Sequence, residues 1–385
     1  ITLYCIYYKH IYIYIMKKIK IFLAAKTLAI KRRLNILLFG NFDPYPKIYK
    51  NYKLYPSMIV EGYNKNSSPK FNLENLFNPV NWKNEARSKL IELLKINNTL
   101  YCKEIYNNKL KIKNGLSRSR IYIEFAENRQ APIDIIKKSN TNDFKGIIIC
   151  MQGDNSGAHL SIGKKFMPAD IYKLNNGSDL AIQAAELGFI AVSFERIGFG
   201  ERREQNLLKA SNSETIDISM HLLMSNKTLL GETVNEICEL SKWLIKKYNN
   251  KNLWLKGYSA AGTAAIYSAA IDKDNIKGIA VGGCLGPIND TILKRGASGF
   301  NHIPNMIEWF DMDTLIALIS PRPCLIIAGR KDHIYPYHLS KKIVDKARKI
   351  FKIDNKENNL ILIEGPKGHT YYPQLLWPAI MKFFK

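Results

Sequence analysis

LWLKGYSAAGTAAIYSAA, residues 253–270, reads as a short buried strand, a sharp turn carrying a serine, and a helix of small residues. Leu253-Trp254-Leu255 is an apolar run of strand length, and Ala264 to Ala270 continues as an alanine-rich helix. Between them, Gly257-Tyr258-Ser259-Ala260-Ala261 is close to G-x-S-x-G, a strained strand-to-helix turn that exposes a serine oxygen. Small residues are needed around such a serine, because a larger side chain would collide with the neighbouring strand or helix. Here the second glycine of the pattern is Ala261, and glycine returns one place later at Gly262. The helix start would aim its amides at an oxyanion on a bound carbonyl, which makes the Ala260 N–H one predicted donor. Taken alone, the pattern also fits an ordinary strand-to-helix connection, since serine and glycine are common at helix starts. The flanking strand and helix favour Ser259 as a nucleophile.

Working outward, strand and helix patterns alternate on both sides of this turn. Upstream lie a strand at 147–151, a helix at 178–187, a strand at 189–194 and a long amphipathic helix at 228–248. The last sets Leu230, Val234, Ile237, Trp243 and Leu244 toward the core. Downstream come strands at 276–281, 324–328 and 360–363, with helices at 312–319, 339–350 and 374–384. Such alternation predicts an α/β fold, a mostly parallel central sheet flanked by helices on both faces. Ahead of it, residues 121–125 and 133–136 are expected as a short antiparallel pair with Ala131-Pro132 between them, and 82–94 as a helix beside the core. In sheets of this kind the ligand site lies beyond the carboxyl ends of the strands.

A serine hydroxyl becomes a nucleophile when a histidine takes its proton, and that histidine must be oriented by a carboxylate. Where the serine sits on a G-x-S-x-G turn, the acid and then the histidine follow it in the chain, each at a strand end. Of the seven histidines, His369 in Gly365-Pro366-Lys367-Gly368-His369-Thr370 comes directly after the last strand. His302, His333 and His338 also follow the serine, whereas His10, His159 and His221 precede it. For the acid, Asp332 in Gly329-Arg330-Lys331-Asp332 closes the penultimate strand, with Asp290, Asp311 and Asp313 as rivals. The expected order is therefore Ser259, Asp332, His369. A second oxyanion donor is expected after the strand at 147–151, in Gln152-Gly153-Asp154-Asn155-Ser156-Gly157. There Gly153 allows close approach and the Asp154 N–H is the candidate.

The 385 residues are enough for one large α/β domain or two smaller ones. Lys and Arg number 57 against 33 Asp and Glu, a net charge of +24. The cations are spread among many Ile, Asn and Tyr residues without any helix-turn-helix, RNA-recognition or zinc-finger pattern, so specific nucleic-acid binding is not expected. The six cysteines contain no C-x-x-C pair and suggest neither a zinc site nor a disulfide framework. They are expected as small buried hydrophobes in a reducing, cytoplasmic setting. Residues 1–78 form a basic N-terminal extension and linker, and 79–385 the catalytic domain. The chain opens on Ile1, and residues 1–15 suggest a fragment or translation upstream of a start at Met16. From Met16 a basic opening and an apolar stretch loosely imitate a signal peptide, but Lys26 interrupts it and no cleavage site is clear. No apolar run approaches the ~18 residues of a membrane span, which leaves a basic amphipathic surface segment as the alternative. Residues 61–78 read as a linker or exposed loop.

From about Trp82 onward the chain resembles the acetyl-xylan-esterase and dienelactone-hydrolase-like branch of the α/β-hydrolases. The resemblance rests on WKNEARSKLIELL, QGDNSG, FERIGFGER, LLGETVNEICELSKWL, the GYSAAGTAAIYSAA turn, NHIPNMIEWFDMDTLIALISPRPCLIIAGRKDHIYP and the final GHT, in that order. It implies ester hydrolysis on short acyl groups by a Ser-His-Asp triad, carried here by Ser259, His369 and Asp332, on a small-molecule ester and with no cofactor or metal. The chain departs from the pattern at Ala261, at Gln152 where histidine is common, and at Glu195 where aspartate is common. His302 sits in a block that looks shared. A peptidase or acyl transferase would use the same residues, and a catalytically silent relative would keep only the fold.

Overall fold

The computed structural model describes residues 2–40, 56–64, 68–74, 78–97, 99–111, 115–154, 156–211, 213, 215–295 and 299–384, without the side chains of 2–9. Two compact units result, Ile1–Gly62 and Tyr63–Lys385. Helix α1 (Thr2–Phe39) lies in the first, and α2 (Pro56–Asn64) spans the division. α1 carries no acidic residue, and Ile11, Tyr12, Ile13, Tyr14 and Ile15 are all exposed. Among the described residues, no helix is long and apolar enough to cross a membrane.

The second unit opens with α3 (Pro79–Leu93), which starts three residues before the predicted position. Asn78 caps it, accepting from the N–H groups of Val80 and Asn81, and Pro79 occupies its first turn. Three strands follow, β1 (Lys103–Lys111), β2 (Leu116–Ala126) and β3 (Arg129–Lys138), then β4 (Ile147–Met151). Next come α4 (Pro168–Asn175), α5 (Leu180–Glu186), β5 (Ile190–Phe194), α6 (Ile216–Met224) and α7 (Leu229–Tyr248). The central turn joins β6 (Leu253–Tyr258) to α8 (Ala260–Ile271), and β7 (Ile276–Gly282) follows. Two short helices, α9 (Ile292–Arg295) and α10 (Met306–Trp309), lead to α11 (Met312–Ile319) and β8 (Cys324–Gly329). The chain closes with α12 (Tyr337–Ile353), β9 (Leu360–Gly365) and α13 (Pro373–Met381).

All nine strands join one sheet in the order β1-β2-β3-β5-β4-β6-β7-β8-β9. The pairs β1–β2, β2–β3 and β3–β5 are antiparallel, and from β5 to β9 every pair is parallel. Side chains alternate across the pleat. Ile147, Ile149 and Met151 of β4 pack on one face with residues of α3, α7, α8, α11 and α12, whereas Ile148 and Cys150 pack on the other with α5 and α13. The small residues of α8 let it lie close to β6 and β7, and Ala261, Ala264, Ala265, Ala269 and Ala270 have no exposed surface.

Two expectations need correction. The antiparallel part has a third strand, β1, and Ala131-Pro132 lies inside β3 rather than between two strands. Pro132 pairs with Tyr122 one position before the β3–β5 register begins at Ile133, where its missing N–H interrupts no bond of that ladder. Residues 68–74 are not a free linker, because Phe71 and Leu73 anchor them. Phe71 stacks on Phe310, its N–H and C=O bond Trp309 O and Thr314 Oγ1, and Leu73 is buried. The two compact units divide at 62/63. On α7, Leu230, Val234, Ile237 and Leu244 are buried and Trp243, partly buried, packs against the same core, as expected.

Candidate active site

Ser259 lies between the last residue of β6 and the first of α8, with φ 55° and ψ −128°. A side chain there is strained, and the surrounding hydrogen bonds enforce the geometry. The Ser259 N–H extends the parallel ladder by donating to Gly282 O at 2.8 Å, while its C=O starts the helix by accepting from Thr263 N at 3.1 Å. Space on either side is tight. A Cβ on Gly257 would lie 2.3 Å from Ala261 O, and one on Gly262 would lie 2.5 Å from Cys284 Sγ. The second forbidden position is thus residue 262 rather than 261, and the buried methyl of Ala261 is accommodated.

The turn after β8 and the loop after β9 bring two further groups to Ser259. Ser259 Oγ lies 3.2 Å from His369 Nε2, and His369 Nδ1 lies 2.8 Å from Asp332 Oδ2. Gly283, with φ 60°, makes room for the ring, since a Cβ there would meet His369 Cε1 at 2.9 Å. The other Asp332 oxygen accepts from the N–H groups of Ile334 and Tyr335 at 2.8 and 3.0 Å. Burial by itself would raise the Asp332 carboxyl, but the hydrogen bond and charge of His369 with the two amides outweigh it. The group stays below the usual carboxylate range. An ionised Asp332 can only accept, which assigns the imidazole proton to Nδ1 and leaves Nε2 to accept from the serine hydroxyl.

No family model matches the chain. Over 207 residues, 52% of its length, it is 23% identical to YtaP of Bacillus subtilis (strain 168), a hydrolase by name, and it spans 65% of that protein. Among solved structures, one from Bacteroides fragilis NCTC 9343, named for an acetyl xylan esterase, matches with a TM-score of 0.70 and 16% identity. That match covers 86% of this chain and 95% of the other. A glucuronoyl esterase from Solibacter usitatus matches at 0.59 with 10% identity over 82% and 96% of the two chains. The fold is that of the α/β-hydrolases. An acetyl xylan esterase from Paenibacillus sp. R4 shares it at a TM-score of 0.52 and 13% identity, over 86% and 99%.

In this fold, Ser259 and His369 open into a cleft of about 260 Å³ also lined by Gly153, Asp154, Lys173, Tyr258 and Tyr371. Gly153 comes so near that a Cβ on it would lie 2.9 Å from Ser259 Cβ. The backbone of 153–154 therefore borders the serine on one side while Ala260, the first residue of α8, borders it on the other. Asn155 of the same loop lies outside the described residues. Lys173 Nζ donates to Ser156 Oγ at 2.6 Å, joining α4 to this loop. Neither Lys173 nor α4 carries a motif, and only the folded chain reveals them at the cleft.

The rival residues sit elsewhere. Asp290 pairs with Lys294 at 3.1 Å, Asp311 caps α11 through Met312 N, and Asp313 lies 3.9 Å from Lys346. His159 bonds Asp170 at 2.9 Å, and His302 and His338 are exposed. His333 is also exposed, its ring centroid 6.3 Å from that of His369. Glu195 is buried and serves the backbone, accepting from Ala158 N and Glu201 N. Burial pushes its carboxyl up to about 8 against those bonds and the charge of Arg196. Gln152 is buried as well, with its amide fully engaged by other elements.

Proposed function

We propose that this chain is a serine-dependent hydrolase of carboxylic esters with short acyl groups, acting through Ser259, His369 and Asp332. The observation that carries the reading is the continuous hydrogen-bond line from Asp332 through His369 to Ser259 Oγ, at 2.8 and 3.2 Å. The esterase names of the solved neighbours point to the same reaction class.

His369 Nε2 takes the hydroxyl proton as Ser259 Oγ attacks the ester carbonyl carbon. The carbonyl oxygen becomes an oxyanion, which the amide N–H groups of Ala260 and Asp154 stabilise. Collapse breaks the bond to the alkoxy oxygen, and the departing alcohol receives the proton from His369. Water then gives its proton to the same nitrogen as it attacks the acyl carbon, and the bond to Ser259 Oγ breaks as that oxygen takes the proton back and the acid leaves. Throughout, Asp332 keeps the imidazole in one tautomer and stabilises the imidazolium.

Ser259→Ala should reduce hydrolysis of p-nitrophenyl acetate to background, a loss of ~10⁴-fold or more, with the melting temperature little changed. Wild-type turnover in the variant would overturn the assignment.

A further inference from the structure

Gln152 follows β4 directly and precedes the two residues that border Ser259. It is 3% exposed, and four hydrogen bonds tie it to four different parts of the chain. Its Nε2 donates to Ser161 Oγ and to Ser178 O, both at 2.7 Å. Its Oε1 accepts from the Tyr371 hydroxyl at 2.6 Å, and its backbone O accepts from Arg196 Nη2 at 2.8 Å. The orientation of the amide is determined, because the Ser178 carbonyl can only accept and so requires the NH2 on its side. That leaves the amide oxygen for Tyr371.

Tyr371 is two residues past His369, and its ring centroid lies 4.3 Å from that of Tyr258, the neighbour of Ser259. The Tyr258 ring in turn lies 5.0 Å from the His369 ring. One hydrogen bond thus connects the loop that would supply the second oxyanion donor to the loop that supplies the base, across the aromatic wall behind the nucleophile. Each loop has its own anchors to the sheet, and this bond links the two directly.

We propose that Gln152 and Tyr371 are a positioning pair, whose mutual bond fixes the separation of the oxyanion loop and His369 and so sets the geometry of the reaction, the Tyr371 ring also lining the cleft beside Ser259. The proposal rests on the serine-hydrolase reading above. A bond across two loops is more sensitive than either loop alone, since displacement by about an ångström at reacting groups lowers rates by ~100-fold. Removing the hydroxyl also leaves the buried Oε1 of Gln152 without its donor, so the loop has reason to shift.

Kinetics of p-nitrophenyl acetate hydrolysis by wild type, Tyr371→Phe, Gln152→Leu and the double variant test this, at a temperature well below each melting point. Tyr371→Phe keeps the ring and its packing and should lower kcat by ~10- to 100-fold with KM near the wild-type value. A merely structural bond would leave kcat of the folded protein unchanged, and that result overturns the proposal. The double variant should lose no more than the worse single one, because the two groups act as a unit. Independent, additive losses would overturn it too. If Gln152→Leu does not fold, the Tyr371→Phe split between kcat and KM decides. A wild type without esterase activity would instead overturn the reading beneath the proposal.

Discussion

At Ser259 the backbone enters the left-handed region at φ 55°, a conformation that non-glycine residues adopt at a cost of order 1–3 kcal/mol. The cost is met by the parallel ladder on one side and the helix on the other, and the result is a hydroxyl pointing at His369 rather than into its own helix. Asp332 is the residue whose removal tests the charge arrangement most cleanly. Asp332→Asn keeps the size of the side chain but offers an amide NH2 or a neutral oxygen to Nδ1, so the required tautomer is no longer enforced. Turnover should fall by ~10⁴-fold. Asp290→Asn, at an exposed pair with Lys294, should leave kcat as in wild type. The reverse pattern in the two kcat values would reassign the acid. These three positions were legible in sequence because each side chain follows a strand, the chemistry fixes their types, and the strand-turn-helix context of the serine fixes their order. Gln152 and Tyr371 were not legible as a pair. Their bond joins residues 219 positions apart, and nothing local in either segment announces the other.

Elements show the same division between local and distant causes. α7 was readable from the Thr228 cap and from Leu230, Val234, Ile237 and Leu244 at helical spacing. β1 was missed because KEIYNNKLK is a polar edge strand whose only sheet partner is β2, and such strands carry little apolar signal. The mid-helix residue that pattern analysis would place in solvent, Glu236, is instead fully buried. It accepts from Arg129 Nε at 2.8 Å and from Arg202 Nη1 and Nη2 at 2.7 and 2.9 Å, joining α7 to β3 and to the loop after β5. Burial would raise its carboxyl, yet the two arginines outweigh burial and hold it below the usual range. A carboxyl with a lowered folded-state pKa stabilises the fold above its unfolded value of ~4.3, and that contribution is lost as pH falls through the folded value. Glu236→Gln removes the carboxylate shared by two partly buried guanidinium groups, of which Arg129 keeps Glu232 and Arg202 keeps the Glu195 carbonyl, and should destabilise by about 1–3 kcal/mol near neutral pH. Urea unfolding monitored by circular dichroism checks this. A midpoint equal to that of wild type would mean that the arginines find other partners.

For the whole molecule, the excess of 24 positive charges bears on stability more than on function, since like charges oppose the compact state. Most of those cations are on the surface. Arg196 and Lys256 are buried, and Lys256 lies inside β6 with 4% exposure and its ammonium 3.5 Å from the Trp377 ring centroid, without a hydrogen-bond partner among the described residues. Desolvation lowers it to about 7 in spite of the opposing influence of Cys150 and Asp179. An unfolded lysine titrates near ~10.4, so between about 7 and ~10.4 the unfolded chain binds a proton that the folded chain does not. Stability must therefore rise with pH through that window. Below it both states are protonated and the penalty is complete, at ~1.4 kcal/mol per pKa unit, less what the Trp377 face returns to the cation. Lys256→Met fills a similar volume without a charge, and should melt several degrees above wild type at pH 6.5. Raising the pH to 10 should close most of that gap, because wild type gains what the variant never lacked. Thermal melts of both proteins at the two pH values, at one scan rate, measure it directly. An increment that is absent at pH 6.5, or the same at both, would place the Lys256 amine in contact with water instead of in the core.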